Sequence, residues 1–583
     1  MKSNKITKWL MLCLSVVSLS ACDITLYPED KVTPGTYFKS ESELQLFTNN
    51  FYTALPSATD VYADEADIII NPALDDAISG QRIIPETGGG WSWTALRQIN
   101  YYLENSYRCE DAAVRKHYDG IARFFRALFY FNKVVRFGDV PWYDQVVGSG
   151  DAALLNKARD SREYVMEKVL ADLNYAIENV SDSKDVYRVT KWAALALKSR
   201  VMLFEGTFRK YHGLDNWKPC LNEAVAAAEE LMKNGGYSLF KKGSTSYETL
   251  FMTLNATETS AEVILARDYS NAVQLRHSVQ NYTTSPTAGC TGVTRRLVDA
   301  YLMKDGSRHT DRANFDKLGF IEECTNRDPR MAQTLRTPGY LLEGNLTPAN
   351  LAAMKLGYQL RKFYIAVQYD GFSEVDMPIF RYAEVLLNYA EAKAELGTLT
   401  NADVALAIDP IRARVGMPKM GSVPTTVDPL MEKYYPNAKG SQLAAILEIR
   451  RERTVELASE GFRQWDMLRW KEGKWITPAA NKGFSGIYFP GLGEYDLDKD
   501  GKMDVYLYKG TKGTTTAPEY NHIEIGGNYT LSSGDSGFLT YYAAESYQWN
   551  EGQDYLWPIP ADQRQITGGA LSQNPGWVDG ITM

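Results

Sequence analysis

The sequence predicts a mainly α protein: a single domain of tetratricopeptide-like helix pairs carrying long loops and a few short strands. Three observations carry that expectation. Apolar residues recur at three- and four-residue steps in segment after segment. Ala-rich stretches come in consecutive pairs joined by short turns, as stacked helix pairs require where backbones approach closely. Long segments rich in Gly, Thr, Tyr and Asn then break the pattern at 236–290, 337–377 and 477–555. No strict repeat of about 34 residues is present.

The helices are expected in this order. Asp119 to Phe137 places Ile121, Phe124, Phe125, Leu128, Phe131 and Val135 on one stripe; Gly138 stops it and Pro141 follows. Ser161 to Val180 repeats the stripe, and Thr190 to Phe204 and Leu221 to Met232 are Ala-rich. In the second half, Phe380 to Leu396, Asn401 to Val415 and Ser441 to Ser459 close on Gly397, Gly416 and Gly461.

The first residues set the compartment. Lys2, Lys5 and Lys8 precede an apolar run from Trp9 to Leu19, then Leu19-Ser20-Ala21-Cys22. This pattern predicts a lipoprotein signal peptide over 1–21, with Cys22 the lipidated residue. More than one acyl chain anchors stably. Residues 22–40 read as the lipidated N-terminus and tether, 41–235 as an N-terminal helical region and 236–583 as a C-terminal region with loop insertions. No later stretch is apolar for long enough to cross a bilayer as a helix.

The chain carries 63 Lys and Arg against 72 Asp and Glu, a formal charge of -9, which argues against nucleic acid as a partner. Cys109, Cys220, Cys290 and Cys324 are too widely spaced for a disulfide framework or a CxxC metal pair, so buried thiols are expected. No GxSxG, HExxH or Walker A sequence occurs, and the five histidines lack metal spacing. No catalytic residue is nominated, the protein is expected not to be an enzyme, and no cofactor is required. One metal candidate stands out. Asp496, Asp498, Asp500 and Asp504 occupy positions one, three, five and nine of a calcium-type loop, with Gly501 at six. Position twelve is Leu507 instead of a bidentate Glu, and Asp-Gly is also a turn signal, so structural calcium and a plain turn both remain open.

An excess of rings, 37 Tyr and 12 Trp, suits a protein that covers the apolar faces of sugars, with planar polar side chains fixing the hydroxyls. The stretch from Asp75-Asp76 to Arg97 offers both through Asp76, Arg82, Trp91 and Trp93, and Gly88-Gly89-Gly90 would make it mobile. Tyr269 to Tyr282 and Tyr358 to Tyr369 are the other candidates for glycan contact.

Several segments resemble the SusD/RagB family in that family's order. They are Gly120-Ile-Ala-Arg-Phe-Phe-Arg-Ala-Leu-Phe-Tyr-Phe131 with Arg136-Phe-Gly-Asp-Val-Pro141, Leu297-Val-Asp-Ala-Tyr-Leu-Met-Lys-Asp-Gly306, Asn326-Arg-Asp-Pro-Arg330 and Arg381-Tyr-Ala-Glu-Val-Leu-Leu-Asn-Tyr-Ala-Glu-Ala392. Glu448-Ile-Arg-Arg-Glu-Arg453, Glu460-Gly-Phe-Arg463 with Trp465-Asp466, Leu556-Trp-Pro-Ile-Pro560 and Gln573-Asn-Pro-Gly-Trp577 complete the set. The resemblance implies a SusD-like fold and a lipid-anchored protein on the outer face of the outer membrane. It implies capture of oligosaccharides for a SusC-like TonB-dependent transporter, or a peptide-capturing or structural lid in the manner of RagB. It also places ligand contacts in the stretch from Asp75-Asp76 to Arg97. Within its motifs, Arg381 and Glu384, and Arg453 and Glu456, lie one helical turn apart, and ion pairing within or between helices is expected of them rather than ligand contact.

Overall fold

The computed structural model describes residues 37–62, 65–71, 75–285, 287, 292–475, 484–541 and 549–580. Cys22, Cys290 and the signal segment lie outside the described residues. The principal helices are α1 (Glu41–Asn49), α2 (Thr94–Asn105), α3 (Ala112–Phe137), α4 (Arg162–Asn179), α5 (Lys191–His212), α6 (Trp217–Asn234), α7 (Tyr382–Leu396), α8 (Asn401–Ala407), α9 (Asp409–Arg414), α10 (Leu443–Glu456) and α11 (Arg463–Arg469). Helix α3 packs on α4 and α5 on α6. Helix α7 then bridges α6 and α10, and α11 returns to α5. One apolar core runs from Phe38 through α3, α5 and α7 to Leu571, with a smaller cluster around Trp470.

Several boundaries differ from the sequence expectation for local reasons. Helix α3 begins at Ala112, not Asp119, because the Asp111 carboxylate accepts from the Ala113 and Val114 N–H groups and caps the extra turns. Helix α5 runs on to His212 and stops at Gly213, whose φ of +75° suits glycine. Almost every residue of α5 from Trp192 to Tyr211 is buried, so its sequence carries no clean polar face. The segment expected as one helix from Asn401 to Val415 is two, α8 and α9. Pro410 has no N–H to continue the ladder. Phe380 belongs not to a helix but to β2 (Met377–Arg381), which pairs antiparallel with β1 (Val263–Arg267) in the core.

The long 477–555 segment contains order of its own. Strands β3 (Gly493–Tyr495) and β4 (Val505–Tyr508) form an antiparallel hairpin, and β5 (His522–Glu524) adds to β4 in parallel. The Asp496–Asp504 loop is the turn of that hairpin.

Charged residues of the family motifs hold these layers together. Arg381 pairs with Glu460 at 2.7 Å, Glu456 at 2.7 Å and Glu262 at 3.0 Å. Glu456 also receives Arg414 at 2.5 Å and Arg330 at 3.1 Å, and Lys362 reaches Glu460 at 2.7 Å. Every member is buried. The pairing expected of Arg381, Glu384, Arg453 and Glu456 therefore exists, and of the two arrangements expected it takes the one between elements. Glu384 bonds Arg200 of α5, and Arg453 bonds Asp466 of α11.

Candidate functional site

The end of α3 shapes the most suitable cavity. Lys133 and Arg136, on its last turns, donate to the carbonyls of Gly90 and Gly89. The three glycines adopt φ of +74°, +53° and +86°, and a Cβ on Gly90 would lie 2.9 Å from the Arg136 Nε. The glycine run is thus pinned against the helix and not the mobile loop its composition suggests.

This loop delivers two indoles to different environments. Trp91 is buried, its ring in a T-shaped contact with Phe137 at 4.8 Å. Trp93 is half-buried between Phe129 at 5.6 Å and Tyr143 at 5.6 Å. Both indoles border a cavity of about 380 Å³ lined also by Tyr143, Arg97, Gln145 and Gln563. Asn100 fixes its far wall, donating to the Tyr143 and Gln145 carbonyls while accepting from Arg126. Arg126 is in turn locked onto Asp172 at 2.6 Å. The floor is rigid and aromatic, and planar polar groups stand at the rim, which is the chemistry a sugar ring needs.

The other sequence candidates lie elsewhere. Asp76 opens a short helix, Asp76–Ser79, on the surface and does not line this cavity. Arg82 is structural. Its side chain is 6% exposed, donates to the Asp554 carbonyl, and sits over Trp557 at 4.5 Å, tying down the C-terminal segment. Tyr269 is buried, its hydroxyl accepting from the Ala58 N–H at 2.8 Å, and Tyr358 is buried with its hydroxyl on Glu323 at 2.6 Å. Neither offers a ring face. Tyr282 is half-buried against the core near Tyr62, 6.4 Å away. Sequence reasoning missed Tyr143 and Gln563; the only available signal was the aromatic Pro141-Trp142-Tyr143 run just past the α3 stop.

Two further cavities, of about 400 and 530 Å³, share Asp60, Arg200, Gln464 and Trp465. Their charged lining is largely committed. Arg200 is paired with Glu384, Glu460 with Arg381, and Asp60 caps Ser57.

At the hairpin turn, carboxylate oxygens of Asp496, Asp498 and Asp504 converge within 4.8 Å of one another. Asp500 stands apart from this group and pairs with Lys502 at 2.8 Å. Burial, opposed by a hydrogen bond from the Leu497 N–H and reinforced by the neighbouring aspartates, pushes the Asp504 carboxyl up to about 6. A second convergent set, Asp299, His309 and Glu323, already has Arg295 at 3.4 Å from Asp299 and 3.1 Å from Glu323, so the chain supplies its own cation there.

The chain thus folds as a mainly helical single domain with an aromatic surface cavity. Residues 253–577 match the family described as the SusD family, and residues 92–203 match one described as "Starch-binding associating with outer membrane". The chain belongs to the SusD family. It is 24% identical over 554 residues to a SusD-like protein of Bacteroides ovatus, covering 88% of this chain and 91% of that one. It is 23% identical over 489 residues to SusD-like protein P25 of Formosa agariphila, covering 76% and 85%. Among solved structures, a SusD-like protein from Bacteroides fragilis superposes with a TM-score of 0.68 at 21% identity, covering 94% of this chain and 100% of that one. A SusD-like carbohydrate binding protein from the same species gives 0.66 at 19%, covering 91% and 99%. No helix among the described residues is long and apolar enough to cross a membrane.

Proposed function

We propose that this chain is a non-catalytic glycan-capture lipoprotein of the outer cell surface, which holds an oligosaccharide at the Trp93–Tyr143 cavity for a SusC-like TonB-dependent transporter. The observation that carries the reading is the half-buried Trp93 beside Tyr143, with Arg97 and Gln145 at the rim. The starch-binding description of the family matched at 92–203, which spans most of this site, supports it. So does the carbohydrate-binding title of the second structural neighbour. Such a shallow site binds in the micromolar range, about -8 kcal/mol, weak enough to release its ligand. Affinity electrophoresis against plant, microbial and host polysaccharides tests the reading: retardation by at least one is expected, and mobility unchanged by all of them contradicts it.

The anchoring residue is Cys22, at the end of Leu19-Ser20-Ala21-Cys22. Cys22→Ser is expected to move the protein from the outer-membrane fraction to the soluble fraction when no transporter is co-expressed. Continued membrane fractionation would remove the lipid anchor from the account.

The hairpin turn is proposed to hold a structural calcium ion through Asp496, Asp498 and Asp504. Chelation is expected to lower the melting temperature and added calcium to restore it. The protonated Asp504 carboxyl is a poor ligand, so calcium stabilisation should grow as pH rises through about 6. An identical melting curve with chelator and with calcium at pH 7.5 would exclude the ion.

A further inference from the structure

We infer that the ligand held beside Trp93 is anionic: a sugar bearing carboxylate or sulfate groups. This rests on the Trp93–Tyr143 cavity being the glycan site, and it names the class of glycan. Arg97 is the only charged residue among those lining the cavity; no carboxylate lines it. Behind the indole, the Lys133 ammonium lies 5.4 Å from the Trp93 ring centroid. Lys133 and Arg136 spend hydrogen bonds on the glycine-loop carbonyls, and neither forms an ion pair among the described residues. Burial, with Arg136 adding to it, pushes Lys133 down to about 8, so it stays mostly protonated at neutral pH. The C-terminal end of α3 offsets about half a charge. The lining itself therefore carries one positive charge and no negative one, with Asp75 attracting Arg136 outside it, on a chain whose formal charge is -9. A neutral glycan would leave this local inversion unused, whereas an acidic one completes it. Arg97 sits at the mouth, where a guanidinium can take a carboxylate or sulfate through paired hydrogen bonds.

Matched polymers separate charge from sugar identity. Calorimetry would compare oligogalacturonate with its methyl-esterified form, and dextran sulfate with dextran. At least one charged member is expected to bind about tenfold more tightly than its neutral twin, with that preference shrinking at high salt. The pair showing the preference tells carboxylate from sulfate. Arg97→Ala should abolish the preference. Arg97→Gln, which keeps a donor for the Val147 carbonyl that Arg97 now holds, should do the same with the loop intact. Equal binding of both members of each pair, or binding of neutral polysaccharides alone, overturns the inference while leaving glycan capture standing. A charge preference that both variants retain also overturns it. No binding to these or any other polysaccharide overturns glycan capture together with the inference.

Discussion

Replacing Glu456 with alanine will destabilise the fold by about 3–5 kcal/mol, the usual cost of removing one partner from a buried ion pair. The reason is geometric. One carboxylate on the last turn of α10 receives Arg414 at 2.5 Å, Arg381 at 2.7 Å and Arg330 at 3.1 Å, and it is fully buried. Its loss leaves three guanidiniums short of a partner in a region that water does not reach. Breaking the exposed Lys502–Asp500 pair should leave stability close to the parent, since solvent screens it. Denaturant unfolding of both variants checks the contrast, and a Glu456→Ala protein as stable as the parent would refute the network's role. The same network sets an acid limit. Burial alone would raise the Glu456 carboxyl, but Arg414, Arg381 and Arg330 outweigh it and hold the group well below the usual carboxylate range. The folded state therefore binds fewer protons than the unfolded chain. Its contribution is present above the ordinary Glu range near about 4.3 and is lost as pH falls below that. Acid titration of the parent should show a loss of stability there, and Glu456→Gln should flatten it.

Trp93→Ala will weaken polysaccharide binding by at least about tenfold while leaving helicity close to the parent. This indole is half-buried and lines the cavity, so its truncation removes a stacking surface as well as part of a packing contact. Trp91→Ala should behave in the opposite way. That ring is buried against Phe137, and its loss should cost about 3–5 kcal/mol of stability. The two residues are separated by one position, and the pinned glycine loop is what assigns them different fates. Normal binding by a folded Trp93→Ala protein would move the site to the cavities around Trp465.

Helices with one apolar stripe, such as α3 and α4, were legible from periodicity. The buried α5 was legible only in its Ala-rich first half, because a helix enclosed on all sides has no polar face to mark its end. Burial also explains why the candidate site was only partly legible. A tyrosine in a Gly- and Asn-rich segment reads the same whether it faces solvent or, like Tyr269 and Tyr358, spends its hydroxyl on a buried partner. Arg82 misled for a related reason. Its partners, Asp554, Trp557 and Trp577, lie far along the chain and left no local trace. The cavity itself joins α2, the loop after α3 and the C-terminal segment around Gln563, an encounter that only tertiary packing creates. The aspartates of the hairpin turn have regular local spacing, and three of the four converge as that spacing suggests.

The most direct test of the central claim is hydrogen exchange of the protein with and without the polysaccharide that retards it most. Glycan capture at the Trp93–Tyr143 cavity predicts added protection in 91–100 and 141–147, with 56–65 and 461–465 unchanged. Protection confined to 56–65 and 461–465 would contradict it.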